Sequence, residues 1–239
     1  MFVKVDSHFL RGIASDSDRI PSLYYSRNWL VRQFFWMRLW LIAQLIQTLQ
    51  PESQRKMGLD FGGGGGVFLP TLSTQFDRVC FVDLESREAY QVIKHYRISN
   101  VEILAEDIAK VHMPAATFDV IVAADVLEHF ADLSVPTQAL RRWLKPKGIL
   151  LTSLPTENWL YNCLRKLSGL QKPKDHYHTG YEVESYLKQN GFRPIRRRSV
   201  PLFWCILPLF LVTAWQLDAA YREENSTAKT TQTNAKSPS

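Results

Sequence analysis

The chain has 239 residues, with 29 Lys and Arg against 23 Asp and Glu, so its formal charge is +6. A hydrophobic share of 46% and a charged share of 22% are globular values, which exclude wholesale disorder, a collagen-like repeat and a polytopic membrane protein. Cys80, Cys163 and Cys205 lie far apart without a Cys-x-x-Cys pair, which excludes a disulfide framework and a cysteine zinc site.

The first residues lack the basic-then-apolar layout of a secretory signal, so a cytoplasmic chain is expected. Up to about Asn28 the composition is polar and mixed, and Ser-Asp-Ser-Asp with Pro21 predicts loop. Residues 29–49, WLVRQFFWMRLWLIAQLIQTL, have the length of a helix, but Arg32, Gln33, Arg38, Gln44 and Gln47 argue against a membrane span. An amphipathic helix is predicted, either capping the domain that follows or acting as a substrate lid or membrane-surface helix.

Over residues 56–155 short apolar runs alternate with helical stretches, which is the pattern of an α/β fold. Strands are predicted over 57–61, 79–82, 101–104, 118–123 and 148–154, with helices that include 85–96 and 136–143. Serial strands joined by right-handed crossovers give a doubly wound, mostly parallel Rossmann-like sheet. A helix over 158–170, a loop over 169–179, a helix over 180–190 ended by Gly191, and a strand over 192–199 follow.

Residues 199–217, SVPLFWCILPLFLVTAWQL, carry no formal charge. Three readings are open: a core strand or pocket wall, peripheral insertion in a membrane, or a span, against which Pro201 and Pro208 count. Beyond Arg222 the sequence is polar and predicts a disordered tail. The expected division is 1–55 as loop and amphipathic helix (lid or cap), 56–199 as α/β domain, 200–221 as apolar segment and 222–239 as tail.

The segment LDFGGGGGVF falls just after the first predicted strand and before the first crossover helix. Glycines there allow a tight turn and a close approach of backbone N–H groups to a ligand. Asp60, Gly62, Gly64 and Gly66 fit Asp-x-Gly-x-Gly-x-Gly, and Asp83 ends the second strand in CFVDLES. Glu106 and Asp107 follow the third strand in AEDIAKV, Asp119 and Asp125 flank the fourth in FDVIVAADVLEHF, and LKPKGILLTSLP leads into the fifth.

In this order the motifs resemble those of class I S-adenosylmethionine-dependent methyltransferases of the small-molecule type, and are similar to ubiquinone-pathway methyltransferases. The similarity covers about residues 56–199. It implies S-adenosylmethionine as cofactor, held by Asp60, Gly62, Gly64, Gly66, Asp83, Leu84, Asp107, Ile108 and Asp125. In that family the acid matching Asp83 binds both ribose hydroxyls, and the acid and next amide after the third strand, here Asp107 and Ile108, contact the adenine.

An acceptor hydroxyl benefits from a base; His129 is the candidate, with His176 and His178 in KDHYHTGYE as competitors. Asp125-x-x-Glu128-His129 also resembles the acid-x-x-Glu-His cluster that ubiquinone-pathway O-methyltransferases associate with a divalent metal. Glu-His at this place is common in methyltransferases without metal, and no metal is assigned.

The Asn/Asp-Pro-Pro-aromatic motif of enzymes that methylate nucleic-acid bases is absent, and the basic pairs come without an aromatic-interleaved module, so no nucleic-acid partner is expected. Arg196, Arg197 and Arg198 directly precede the uncharged stretch, the layout of a chain held peripherally at an anionic membrane face. The expected function is methyl transfer to a small or lipid-like acceptor by in-line displacement. Its rivals are a nicotinamide-dependent oxidoreductase and a non-catalytic protein that keeps the cofactor fold.

Overall fold

The apolar runs assemble into one seven-stranded sheet: β1 (Met57–Phe61), β2 (Arg78–Asp83), β3 (Val101–Ala105), β4 (Phe118–Ala124), β5 (Leu144–Pro155), β6 (Phe192–Val200) and β7 (Phe210–Leu217). The structure is a computed structural model and describes residues 1–14, 19–167, 176–201 and 207–218. Across the sheet the order is β3-β2-β1-β4-β5-β7-β6. The first five strands pair in parallel, and β7 runs antiparallel to both β5 and β6. The doubly wound, mostly parallel sheet expected from the sequence is present.

Seven helices accompany the strands among the described residues: α1 (Ser7–Ile13), α2 (Trp29–Leu49), α3 (Leu69–Gln75), α4 (Arg87–Tyr96), α5 (Ser134–Trp143), α6 (Trp159–Leu167) and α7 (Gly180–Gln189). Successive side chains of a strand point to opposite faces, so β4 sends Val120 and Val122 into one apolar cluster and Ile121 and Ala123 into the other. The first cluster is closed by Leu39, Ile42 and Ile46 of α2, the second by Leu140 and Trp143 of α5 with Val183 and Leu187 of α7.

Each fully buried Leu or Ile contributes roughly 1.5–3 kcal/mol. Since α2 buries Leu39, Leu41, Ile42, Leu45 and Ile46, it is part of the core and caps the sheet, the first of its two readings. Trp29, Leu30 and Trp40 of the same helix remain exposed.

One expectation is corrected by the structure, and one left open is decided. The polar stretch before Asn28 is not all loop: the Asp6 carboxylate accepts from the N–H groups of His8 and Phe9 and starts α1. That short helix buries Leu10 and stacks Phe9 on His95 of α4 with ring centroids 3.9 Å apart. Its apolar face is too narrow to stand out in a hydrophobic pattern.

The uncharged stretch 199–217 is spent on the end of β6 and on β7, whose Phe210, Leu211, Val212, Ala214 and Trp215 are buried. A strand flanked on both edges and covered on both faces has no place for a charge. Residues 202–206 of that stretch, most of the predicted loop over 169–179 and the predicted tail over 222–239 lie outside the described residues. Among the described residues no helix is long and apolar enough to cross a membrane.

The strand order reverses between β1 and β4, and their carboxyl ends splay their loops apart into a crevice. On the far side of it, α7 begins with a reciprocal cap. The Thr179 hydroxyl accepts from the Glu182 N–H, and the Glu182 carboxylate accepts from the Thr179 N–H. This cap fixes the end of the loop that carries His176 and His178.

Candidate functional site

The crevice is a cleft of about 1110 Å³ whose walls include Gly62, Gly64, Asp83, Asp107, Asp125 and His129. Leu84, Ile108, Val126 and Phe130 also line it, together with Arg19 and Pro21 from the amino-terminal segment. The motifs that lie apart in the sequence meet here because each follows the carboxyl end of a parallel strand.

The glycine loop turns by placing every second residue in the left-handed region: φ is +68° at Gly62, +55° at Gly64 and +72° at Gly66. The Gly64 N–H donates to Asp83 Oδ2 at 2.8 Å. A Cβ on Gly64 would sit 2.9 Å from the Arg19 carbonyl oxygen, so the amino-terminal segment lies directly on the loop. Gly66 lines no part of the cleft; a Cβ there would come within 2.9 Å of Ala89, and its use is the close seating of the loop on α4.

Asp60 sits beneath the loop, 3% exposed, where a Cβ on Gly63 would lie 2.6 Å from its Oδ2. That oxygen meets no hydrogen-bond partner among the described residues. Burial, and then the negative charge of Asp83, push the Asp60 carboxyl up to about 7. A cationic ligand beside it would favour its ionised form.

Asp83 is 7% exposed, and its second oxygen lies 3.4 Å from the Arg19 guanidinium, which also pairs with Glu85 at 3.0 Å. The Gly65 N–H donates to the Arg19 carbonyl at 3.0 Å, which completes a strap over the glycines. Arg19 was hidden in the sequence by its loop-like surroundings, with no motif to mark it. Beyond β3, Asp107 Oδ1 accepts from the Ala109 N–H at 3.0 Å, a local turn that leaves Ile108 against the cleft. Leu84 stands 60% exposed at the mouth.

Asp125 follows β4 with φ +54° and lines the cleft, but its carboxylate is ion-paired with Arg38 of α2. Arg38 is 1% exposed, donates to the Tyr24 hydroxyl at 2.7 Å and to the Phe35 carbonyl at 3.1 Å, and lies over the rings of Phe35 and Phe210. In the sequence Arg38 reads as a polar interruption of an amphipathic helix. A buried guanidinium requires an acid, and that requirement is the signal that points from Arg38 to the cleft.

His129 lines the same wall, and its ring meets that of His176 edge to face with centroids 4.5 Å apart. His176 Nδ1 is 2.7 Å from Glu157 Oε1. The Tyr177 N–H donates to the Glu128 carbonyl at 2.9 Å and pins this loop to the one after β4. His178 is turned away, with Nε2 at 3.4 Å from the Ala131 carbonyl. The Asp125, Glu128 and His129 trio does not gather as a donor set, because Arg38 takes the Asp125 carboxylate. The donor atoms of Glu128, His129 and His176 do gather, all within 4.8 Å of one another.

A glycine cradle, an acid facing it from the end of β2 and an acid-bearing turn after β3, set at a switch point, define a class I methyltransferase domain. The chain belongs to the family described as "Methyltransferase domain", whose model matches residues 36–197. It is 26% identical over 162 residues to a Mycobacterium tuberculosis protein named "Probable S-adenosylmethionine-dependent methyltransferase", covering 66% of this chain and 56% of the relative. It is 32% identical over 120 residues to a ubiquinone biosynthesis O-methyltransferase of Histophilus somni, covering 46% of this chain and 49% of the relative. The chain thus spans about half the length of these curated relatives.

The fold is shared with the N-methyltransferase NodS of Bradyrhizobium japonicum solved with S-adenosylhomocysteine, at TM-score 0.62 and 18% identity, covering 87% of this chain and 98% of that one. Magnesium protoporphyrin IX methyltransferase of Synechocystis, also with S-adenosylhomocysteine, gives TM-score 0.63 and 17% identity over 88% of this chain and all of that one. The residues present fit S-adenosylmethionine. Asp60 has an unpartnered buried oxygen suited to a cationic neighbour, the Asp83 carboxylate accepts from the Gly64 N–H at the edge of the cleft, and Asp107 and Ile108 line it.

Proposed function

We propose that the chain is an S-adenosylmethionine-dependent methyltransferase acting on a small or lipid-like acceptor. The cleft volume supports this most directly. Ligand pockets measure about 300–1,000 Å³, so a continuous cleft of about 1110 Å³ has room for a cofactor and an acceptor end to end. Its lining joins the polar Asp83, Glu85 and Arg19 with Val126, His129 and Phe130, an apolar wall carrying one titratable ring.

Bound cofactor supplies a methyl group on a sulfonium, open to in-line displacement. Asp83 accepts from the ribose hydroxyls, and the glycine loop seats the cofactor's amino-acid end. Asp60 ionises beside the positive charge, and Val126 and Phe130 keep water from the acceptor side. An acceptor hydroxyl must lose its proton, and His129 is the residue of that wall placed to take part in the loss. A nicotinamide oxidoreductase would leave the acid after β3 and the loop after β4 without a role.

Label from the methyl group of the donor is followed after incubating the protein with a soluble metabolite pool and, separately, with a membrane lipid extract. Label in a compound from either fraction is expected. Label confined to added protein or nucleic acid refutes the acceptor class.

A further inference from the structure

We propose that Glu128, His129 and His176 form a binding site for one divalent transition-metal ion, with Glu157 orienting His176. The site is assembled from two distant parts of the chain, the turn after β4 and the loop before α7. It differs from the Asp125, Glu128 and His129 pattern that the sequence suggests.

The donor atoms of the three residues lie within 4.8 Å of one another. Ligands about 2.0–2.2 Å from a tetrahedral ion stand about 3.3–3.6 Å from one another, so closure draws the donors together by no more than about 1.5 Å, within the reach of side-chain rotation. Glu157 and His176 have side chains 5% and 8% exposed and meet at 2.7 Å through Nδ1. A carboxylate there accepts the Nδ1 proton, which leaves the Nε2 lone pair for a ligand. This is the carboxylate–histidine–metal arrangement that fixes a ligating imidazole.

Glu157 holds that position with φ +50°, a left-handed backbone that is unfavourable for a residue with a Cβ. The Tyr177 N–H bond to the Glu128 carbonyl and the Thr179 cap keep the two loops together. Glu128 is fully buried, so an ion held there is shielded from bulk water.

Two imidazoles and one carboxylate favour a borderline ion such as zinc, cobalt, manganese or ferrous iron over the all-oxygen cations magnesium and calcium. Because His129 also lines the cleft, an ion held here borders the acceptor wall and would take over from the His129 ring the task of easing an acceptor proton's loss, by Lewis acidity toward the acceptor oxygen. The binding site itself stands whatever the acceptor proves to be.

The test is a cobalt titration of the chelator-treated full chain, followed by visible absorption and reversed by zinc. One ion per chain is expected. His176→Ala weakens it by roughly 100-fold or more and Glu157→Gln by roughly 10-fold, while Asp125→Asn changes it by less than about 3-fold because that carboxylate serves Arg38. Calorimetry with S-adenosylhomocysteine on each variant confirms that the cofactor half is folded. His178→Ala, with unchanged cobalt affinity, serves as a control near the site.

The proposal is overturned if the wild-type chain shows no saturable cobalt spectrum, if His176→Ala binds as tightly as wild type, or if Asp125→Asn costs as much as His176→Ala. Failure of the acceptor class appears separately, in the labelling experiment, and leaves the cobalt result standing.

Discussion

Arg38→Met removes the guanidinium that reaches from α2 to Asp125 while keeping an apolar stem for the rings of Phe35 and Phe210 to pack on. Breaking a fully buried ion pair by losing one partner costs about 3–5 kcal/mol. The Asp125 side chain is 24% exposed and water recovers part of that, but the bonds to the Tyr24 hydroxyl and Phe35 carbonyl are lost as well. We expect a loss of about 3 kcal/mol for Arg38→Met and a similar loss for Asp125→Asn, which strands a buried guanidinium.

For a chain of this size each kcal/mol lowers Tm by about 2–4 °C, so either variant should melt about 6–12 °C below wild type. The double variant removes both charges and should cost about 4 kcal/mol, only about 1 kcal/mol more than either single one, a coupling of about 2 kcal/mol in a urea-denaturation cycle. Additivity to within about 0.5 kcal/mol would show that the two groups do not interact, and would remove the link between α2 and the cleft.

Asp60 makes stability depend on pH. Its carboxyl is raised from 3.8 to about 7, so the folded chain binds the proton more tightly than the unfolded one. The contribution is whole below pH 3.8 and is lost as pH rises through about 7; its ceiling is about 4 kcal/mol, and Asp60→Asn should flatten that slope in pH-dependent urea melts. Gly64→Ala adds a Cβ at φ +55° and 2.9 Å from the Arg19 carbonyl, and should weaken S-adenosylhomocysteine by about tenfold or more in calorimetry, with a stability loss of about 1–2 kcal/mol. Arg19→Ala frees Asp83 from a half-exposed ion pair and should tighten that binding by about two- to fivefold at low salt, an effect that high salt erases.

The cofactor half was legible in the sequence because its chemistry is written in backbone constraints. Asp-x-Gly-x-Gly-x-Gly demands a glycine at every second position, and the structure puts Gly62, Gly64 and Gly66 at positive φ. Asp83 and Asp107 could be placed because acids at strand ends fall in register once the βα units are counted.

The acceptor half was less legible, since its contacts are long-range and follow no period. Arg38 finds Asp125 only when α2 packs on the sheet, and His176 meets His129 only because the Tyr177 N–H ties two loops together. The uncharged stretch 199–217 is ambiguous for a physical reason: a strand buried between β5 and β6 and a membrane-facing segment are both selected for the absence of charge.

The central claim is that this cleft holds S-adenosylmethionine through Asp83, and titration calorimetry with three ligands tests it most directly. S-adenosylmethionine and S-adenosylhomocysteine should each bind saturably at one site, NADH should not bind, and Asp83→Ala should weaken S-adenosylhomocysteine by about 30- to 1,000-fold, equivalent to about 2–4 kcal/mol of charge-assisted hydrogen bonds. Saturable NADH binding, or an Asp83→Ala variant that binds S-adenosylhomocysteine as the wild type does, would contradict the account.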